Sequence, residues 1–581
     1  MRNAEVAQLL NEIADLLELK GDDPYRIAAY REAARQIENL TEDIVEVWRA
    51  GRLDEIPRVG PSIAAKIAEY LETGRLRYLE ELRQQVAPGL VELMQVPGVG
   101  PRRARLFYEK LGITSIRQLE EAAHQHKLCQ LPGVREKTEE NIRRELERLQ
   151  ARTRRLPLGV ALPVAERVIA LLKDHPAVRR IDAAGSLRRM RETIGDIDIL
   201  VASDRPLEVI DAFTHLPIVR EVLAKGPAKA SVLIEGNFQV DLRVIDPASY
   251  GAALQYFTGS KEHNIALREL AIRRGWKLNE YGLFDEATGR RLAGETEEEI
   301  YRMLGLVWIP PELRENRGEI EAAMRGELPV LVELRDIQGD LHLHTNWSDG
   351  TATLEAMAEA ARARGYAYIA VTDHSATLGV AGGLSVESLR EQWAEIDRLN
   401  ERLRPFRILK GAEVDILADG SLGYPDEVLA QLEYVAVSVH SGFHQSRERM
   451  TQRILRALEN PYVHTLNHPT GRLLGKREPY EVDLEAVLQA AAARGICVEI
   501  DGAPDRLDLD DLWARRAKEM GCLLVVDSDA HSVPALEGVR YGVAVARRGW
   551  LEKKDILNTR PLAELLAWLQ RRRALARPGG R

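Results

Sequence analysis

Apolar residues recur at three- and four-residue spacing in "VAQLLNEIADLLEL" (6–19) and "IAAKIAEYLETG" (63–74), which predicts amphipathic helices across the first 150 residues. Short loops are marked by "GDDP", "PRVGP" and "PGVGP". From about residue 155 the period shortens. "IDAAGSL", "GDIDILVA", "KASVLIEG" and "NFQVDLRVI" are β-branched runs between helical stretches and predict a mixed sheet. Pro310, Pro311 and the polar "ELRENRGEIEAAMRGELP" then predict a linker over 317–335. Beyond it come seven apolar runs: "GDLHLH", "YAYIAVTDH", "RILKGAEVD", "YVAVSVH", "YVHTLNHP", "GICVEID" and "CLLVVDSDAH". Helices such as "TLEAMAEAARARG" and "DLEAVLQAAAARG" lie between several of them. Alternating strands and helices predict a parallel sheet, and this many units favour a barrel.

The chain has 581 residues, too many for one core, so three or more domains are expected. With 45% hydrophobic and 29% charged residues it reads as a soluble globular protein. Cys129, Cys497 and Cys522 have no CxxC spacing and fit a reducing cytoplasm. No apolar run reaches membrane-spanning length, and acids run through the apolar positions of the N-terminus, which therefore reads as a helix rather than a signal peptide. The net charge of −9 argues against nonspecific nucleic-acid binding by the whole molecule. From Pro101 to Arg155, however, 14 Lys/Arg face 8 Asp/Glu, so this stretch is locally basic.

Most of the last seven runs end in a group that can ligate a metal. In order these are His342 and His344, His374, Glu413, His440, His468, then Asp529 and His531. His342 and His344 are two apart on one strand, so both point to one face, and Asp349 lies in the next turn. A barrel of this kind carries its active site at the C-terminal ends of its strands. Imidazole with carboxylate suits Zn, Mn or Fe rather than Ca. Nine ligands are too many for one ion, so two or three are expected, which suits water activation and phosphate-ester cleavage. His444 and His464 fit the strand-end pattern less well and read as surface or packing residues. The pieces "HLHTNWSDG", "TDH", "GAEVD", "SVH", "NHP" and "SDAH" resemble the PHP (polymerase and histidinol phosphatase) domain over roughly 336–575. The resemblance implies a distorted β/α barrel with a multinuclear phosphoesterase centre.

A second signal lies in "GSLRRMRETIGDIDILV" (185–201). Asp196 and Asp198 share a strand face and repel unless a cation sits between them. Asp241 in "QVDLRVID" adds a third carboxylate from a neighbouring strand. The Gly185–Ser186 step and the Arg188–Arg189 pair offer anion-binding chemistry just upstream. Three carboxylates beside an anion site read as two-metal nucleotidyl transfer. Here "GSLRRMRETIGDIDIL", "VDLRVI" and "YFTGSKEHNIALR" resemble, in order, the family X DNA polymerases of the bacterial type with a C-terminal PHP domain. By that resemblance Asp196 and Asp198 bind both Mg²⁺ or Mn²⁺ ions, and Asp241 helps activate the primer 3′-hydroxyl. Ser186, Arg189 and Gly195 contact the triphosphate, and Tyr256, Phe257 and Gly259 frame the sugar. Asn264 reaches the minor-groove base edge and Arg268 the template strand. Many relatives have a further triphosphate arginine before the first palm helix. "PLGVALPV" offers none, which shifts the load to Arg189, the metals, or Lys261 or His263.

"PRVGPSIAAKI" and "VPGVGPRRARLF" look alike, and "LPGVREKTEENI" is a weaker third copy. Each is a glycine turn leading into a helix, the helix-hairpin-helix pattern. It offers backbone N–H groups at Gly60, Gly98 and Gly100 to DNA phosphates without reading sequence. By resemblance to the family's lyase domain, Lys66 stands where a Schiff-base lysine stands. Arg26, Arg75 and Arg77 are the nearby cations that would lower its pKa. Ser62 stands where active lyase domains carry a phosphate-contact lysine, so a plain DNA-binding lysine is the alternative reading of Lys66.

The expected architecture is multidomain. It has N-terminal all-α helix-hairpin-helix domains, an α+β nucleotidyltransferase palm and thumb, and a C-terminal α/β distorted (β/α)7 barrel. The expected boundaries are a lyase-like domain at 1–85, fingers-like helices at 86–152, palm at 153–245, thumb at 246–316, linker at 317–335 and PHP domain at 336–581. The expected function is short-gap filling in DNA repair, coupled to a 3′–5′ exonuclease that holds two or three Zn²⁺ or Mn²⁺ ions. Expected partners are gapped or nicked DNA and dNTPs, with no membrane, and the chain is expected to be a monomer. The rival readings keep the polymerase but make the barrel a small-molecule phosphatase or a structural module.

Overall fold

The computed structural model describes residues 3–576 apart from 39, 41–43, 87–89, 91–92, 95, 97, 154, 236–237 and 378–381. The chain divides into two compact units, Met1–Arg154 and Arg155–Arg581. The first is helical. Helix Asn3–Lys20 buries Val6, Leu10, Ile13 and Leu17, and helix Pro24–Glu38 buries Tyr30, Ala33, Ala34 and Ile37. Their three- and four-residue spacing gathers these side chains into one stripe per helix, and the two stripes close on each other.

The hairpins share one backbone design. Helix Pro61–Thr73 starts at Gly60 (φ −79°, ψ 170°) and stops at Gly74 (φ 70°). Helix Pro101–Leu111 starts at Gly100 (φ −79°, ψ 175°) and stops at Gly112 (φ 68°). The turns before them also match: Val59 N–H donates to the Ile56 carbonyl at 3.0 Å, and Val99 N–H to the Val96 carbonyl at 2.9 Å. The third copy makes the same bond, from Val134 N–H to the Leu131 carbonyl at 3.1 Å, ahead of helix Glu136–Thr153. Arg58 (φ 69°) takes the left-handed position that Gly98 (φ 87°) and Gly133 (φ 80°) hold in the other copies. That costs a residue with a Cβ about 1 kcal/mol.

The second unit opens with a five-stranded sheet. Its strands are β1 Arg180–Ala183, β2 Ile197–Ala202, β3 Val219–Lys225, β4 Lys229–Ile234 and β5 Phe238–Ile245, in the order β1-β2-β5-β4-β3. Only β2 and β5 run parallel. Strand β3 is absent from the sequence reading. It is an edge strand with its side chains largely exposed, so it carries no half-buried alternation to read. A small antiparallel meander comes next: β6 Trp276–Asn279, β7 Gly282–Asp285 and β8 Arg291–Ala293. The stretch expected as a linker contains helix Glu319–Arg325, whose Ile320 and Ala323 join the hydrophobic cluster of the meander.

All seven predicted barrel strands form: β9 Gly339–Leu343, β10 Tyr368–Val371, β11 Arg407–Asp415, β12 Tyr434–Ser438, β13 Thr465–Leu466, β14 Cys497–Asp501 and β15 Leu524–Asp527. They pair in sequence order and all in parallel. The sheet closes through a Leu343–Ala530 bridge, with His344 N–H on the Ala530 carbonyl at 2.8 Å. Both faces of these strands are buried, which is why they read as near-continuous apolar runs. Among the described residues no helix is long and apolar enough to cross a membrane.

Candidate active centres

The barrel brings all nine predicted ligands into one cluster. Their donor atoms form overlapping groups: His342, His344 and Asp529; His342, Glu413 and His468; His374, Glu413 and His440; and His344, Asp349, His374 and His531. Glu413 sits at the centre. It lies 2.8 Å from His468 Nε2, 3.0 Å from His374 Nδ1 and 3.3 Å from His440 Nε2. Asp529 lies 3.2 Å from His344 Nε2 and 3.4 Å from His342 Nε2. Asp349 and His531, 3.4 Å apart, are the more exposed pair at the mouth.

This donor set fits cations. His342 Nε2 and His344 Nε2 face each other at 3.1 Å, an arrangement two lone pairs tolerate only with a proton or cation beside them. His344 Nδ1 and His468 Nδ1 are buried with no hydrogen-bond partner among the described residues. Burial pushes His344 down to about 3 and His468 down to about 4, so both present the neutral imidazole that binds metal. Against its burial, Asp349 is held below the usual carboxylate range by hydrogen bonds from His374 and His531.

Several groups around these ligands lie outside the set read from the sequence. Glu499 orients His342 through Nδ1 at 2.6 Å, and Asp415 orients His440 at 2.7 Å. Arg506 lies 3.2 Å from Asp529. Glu499 and Asp415 do carry a signal that could find them: an acid inside an apolar strand, close to a ligand. Phe443 and Arg477 also line the cleft, with the guanidinium 4.2 Å from the ring centroid. His464 packs on the Tyr434 ring at 5.7 Å and His444 lies at the surface, so both stay outside the centre.

In the five-stranded sheet, Asp198 and Asp241 are direct partners on the parallel strands β2 and β5. Gly185 (φ 62°) packs so closely that a Cβ there would stand 2.5 Å from Asp198 Oδ2. Burial, with Asp241 and Asp196 close by, pushes Asp198 up to about 6. Asp241 shifts down despite its own burial, because Gln239, Ser231 and Lys229 bond to it. Its Lys229 contact is 3.2 Å. Asp196 stands just before β2, Gly195 precedes it, and Ser186 lies in the short helix Gly185–Arg188.

The two arginines are both held in ion pairs. Arg188 forms a bidentate pair with Glu297, at 2.8 Å on each arm, and Glu297 also holds the buried Arg314. Arg188 is therefore part of a buried charge cluster. Arg189 pairs with Glu315 at 3.1 Å and donates to the Thr258 carbonyl beside Gly259. His263 is buried between Glu319 (2.6 Å) and Tyr301 (2.9 Å). Just ahead of "PLGVALPV" stands Arg155, which bonds to Thr193 Oγ1 at 2.8 Å and lies in the field of Asp196. Tyr256 and Phe257 meet edge-on with centroids 5.2 Å apart. Asn264 donates to the Tyr256 carbonyl at 2.7 Å, and Arg268 is one turn on, its Nε 3.3 Å from the Asn264 carbonyl.

In the helical unit, Lys66 Nζ donates to Ser62 Oγ at 3.0 Å and sits 4.8 Å from the Tyr78 ring centroid. Burial and the Arg26 guanidinium push its pKa down. A cleft of about 780 Å³ borders this site, lined by Tyr25, Arg26, Tyr30, Arg58 and Gly60. A Cβ added at Gly60, Gly98 or Gly100 would meet nothing within 4 Å, so these turns leave their backbone open to a ligand.

Comparison with known proteins covers nearly the whole chain. Family models match for a helix-hairpin-helix domain (residues 1–76), a SAM-like helix-hairpin-helix tandem (90–148), the DNA polymerase beta thumb (253–315) and the PHP domain (340–501). The chain is 31% identical over 232 residues to a probable phosphatase of Thermoanaerobacter sp. (strain X514), covering 38% of this chain and 89% of that protein. DNA polymerase lambda of Rattus norvegicus is 23% identical over 344 residues, 54% of this chain and 56% of its own. The DNA polymerase/3′-5′ exonuclease PolX of Bacillus subtilis (strain 168) is 39% identical over 573 residues, 98% of this chain and 100% of that protein. With that full-length match and these thumb and PHP domains, the chain belongs to the PolX family, the family X DNA polymerases that carry a PHP domain.

Proposed function

We propose that this chain is a DNA repair enzyme that fills short gaps by nucleotidyl transfer and hydrolyses DNA 3′ ends as a 3′–5′ exonuclease. One observation carries the reading: two separate groups of side chains of metal-ligand type, carboxylates on the palm sheet and a His/Asp/Glu cluster at the barrel mouth, occur in a single chain. Asp196, Asp198 and Asp241 would hold Mg²⁺ or Mn²⁺, and the nine barrel ligands two or three Zn²⁺ or Mn²⁺ ions. When bound, such ions supply Lewis-acid stabilisation and an activated water or hydroxyl. The chain's own residues do the rest. Arg189 and Arg155 neutralise the triphosphate with Ser186 and Gly195. Tyr256, Phe257, Gly259 and Asn264 frame sugar and base, and Arg268 meets the template. Gly60, Gly98 and Gly100 grip the DNA backbone.

The probable-phosphatase relative motivates a second reading of the barrel, as a small-molecule phosphatase. Phe443 with Arg477 at the cleft favours DNA, since a ring and a guanidinium suit a terminal base and its phosphate. Labelled gapped DNA with Mn²⁺, with and without dNTPs, tests both. Extension with dNTPs and shortening without them support the proposal. Hydrolysis of histidinol phosphate with intact DNA ends overturns the exonuclease half. Lys66 is proposed as a 5′-deoxyribose-phosphate lyase nucleophile, its lowered pKa giving more free amine. The cytoplasm and a monomeric state complete the proposal.

A further inference from the structure

The three hairpins allow an internal comparison. Each turn closes on one carbonyl, that of Ile56, Val96 or Leu131. Eight residues after these stand Ala64, Ala104 and Glu139. Two residues before them stand Asp54, Met94 and Cys129, and five before them Gly51, Val91 and His126. In the third copy all three positions have become metal-ligand types. The fold brings them together: their donor atoms lie within 4.8 Å of one another.

Glu139 is 3% exposed, where the second hairpin buries Ala104 completely. A carboxylate at such a position needs a reason. Its Oε1 accepts from Leu128 N–H (2.8 Å) and Cys129 N–H (3.1 Å), which fixes the head group. Its Oε2 is thereby aimed at His126 Nδ1, 3.0 Å away. His126 adopts a left-handed backbone (φ 52°) just after helix Ile116–His124. The Cys129 thiol completes the group, 3.3 Å from the His126 carbonyl. The cluster opens on a cleft of about 410 Å³ also lined by Glu136 and Glu140.

We propose that His126, Cys129 and Glu139 bind one divalent cation of the Zn²⁺ class at the base of the third hairpin. Nitrogen, thiolate and carboxylate together select a borderline-soft ion over Mg²⁺ or Ca²⁺. On binding, the thiol gives its proton to solvent and its sulfur becomes the ligand. Water or the Glu136 carboxylate fills the fourth position. The ion ties residues 126–129 to the helix Glu136–Thr153 and so fixes the turn that offers its backbone to DNA. This site is separate from the barrel centre, which has no sulfur ligand among its described residues.

That difference supplies the test. The full-length protein, stripped of metal, is titrated with Cd²⁺ while its ultraviolet thiolate-to-metal charge-transfer band is followed; ions in the barrel add none. One equivalent of band is expected. Cys129→Ser should remove it, and His126→Ala should weaken Cd²⁺ binding at this site by more than about tenfold, the least that even outer-shell changes cost. Both positions are partly or largely exposed, so neither variant should unfold the hairpin. Zinc content should fall by one equivalent in Cys129→Ser. The proposal is overturned by the absence of any band, by a band that survives Cys129→Ser, or by equal zinc content. In that case Glu139 only pairs with His126.

Discussion

Arg548 belongs to the barrel domain, yet the structure ties it to the polymerase half. Its buried guanidinium donates to Glu315 at 3.0 Å, to Asp511 at 2.7 Å and to the main-chain carbonyl of Arg189 at 2.7 Å. Glu315 is also the partner of Arg189 (3.1 Å) and Arg191 (3.3 Å). Consider Arg548→Ala. Three bonds from the guanidinium are lost, and the two to carboxylates are worth about 1.5–3 kcal/mol each. Neither carboxylate is stranded, because Glu315 keeps Arg189 and Arg191, and Asp511 keeps Arg317 at 2.8 Å. The loss should therefore sit near the low end for breaking a buried pair, about 3 kcal/mol. The functional effect comes from charge. A Glu315 shared by two guanidiniums rather than three holds Arg189 more tightly, and the tether on its carbonyl is gone. If this removes about 1.4 kcal/mol of triphosphate binding, the KM for dNTP rises about tenfold. The assays are denaturant unfolding, single-nucleotide gap filling over a range of dNTP, and 3′-end hydrolysis on the same preparation. A lower unfolding midpoint, a raised KM, a nearly constant kcat and unchanged hydrolysis are expected. An unchanged KM in a destabilised variant would refute the idea that Glu315 competes with the triphosphate for Arg189.

Burial, with Asp241 and Asp196 close by, pushes Asp198 up to about 6 from an ordinary 3.8, a difference on the order of 3 kcal/mol at about 1.36 kcal/mol for each pH unit. A raised folded-state value means its contribution to stability is full below about 4 and lost as pH rises through about 6. In metal-free protein, Mg²⁺ should therefore raise the melting temperature more at about pH 7.5 than at about pH 5, and Asp198→Asn should abolish that pH dependence; equal gains at both pH values would contradict the assignment. His344→Ala or His468→Ala should strip metal from the barrel and stop 3′-end hydrolysis while gap filling survives. Elemental analysis beside both assays decides this, and full hydrolysis without metal would show the centre to be structural. Borohydride should trap a Schiff base on a 5′-deoxyribose-phosphate end, and Lys66→Ala should lose it. Trapping that persists would place the nucleophile elsewhere.

How much of this molecule can be read in one dimension depends on where each interaction sits along the chain. The barrel strands are legible because both their faces are buried, so nearly every position is apolar until the strand end, where a histidine or acid breaks the run. His342, Glu413 and His468 are therefore local signals even though they meet only in space. The exposed edge strand β3 lacks that contrast and leaves no trace. Glu319 reads as part of a linker because charges usually mean solvent, yet it is buried and holds His263, a contact 56 residues apart. Arg155 is hidden for the same reason, since its place beside the palm carboxylates depends on Thr193, 38 residues on. Charge pairs carry no periodicity, so a buried ion pair and a solvated one look identical in one dimension. Glu315 carries this point over to function. Its three guanidinium partners lie 126, 124 and 233 residues away. The ligands of the barrel centre are written at or near strand ends, but the contacts that join the barrel to the palm are written in long-range charges that only the folded chain brings together.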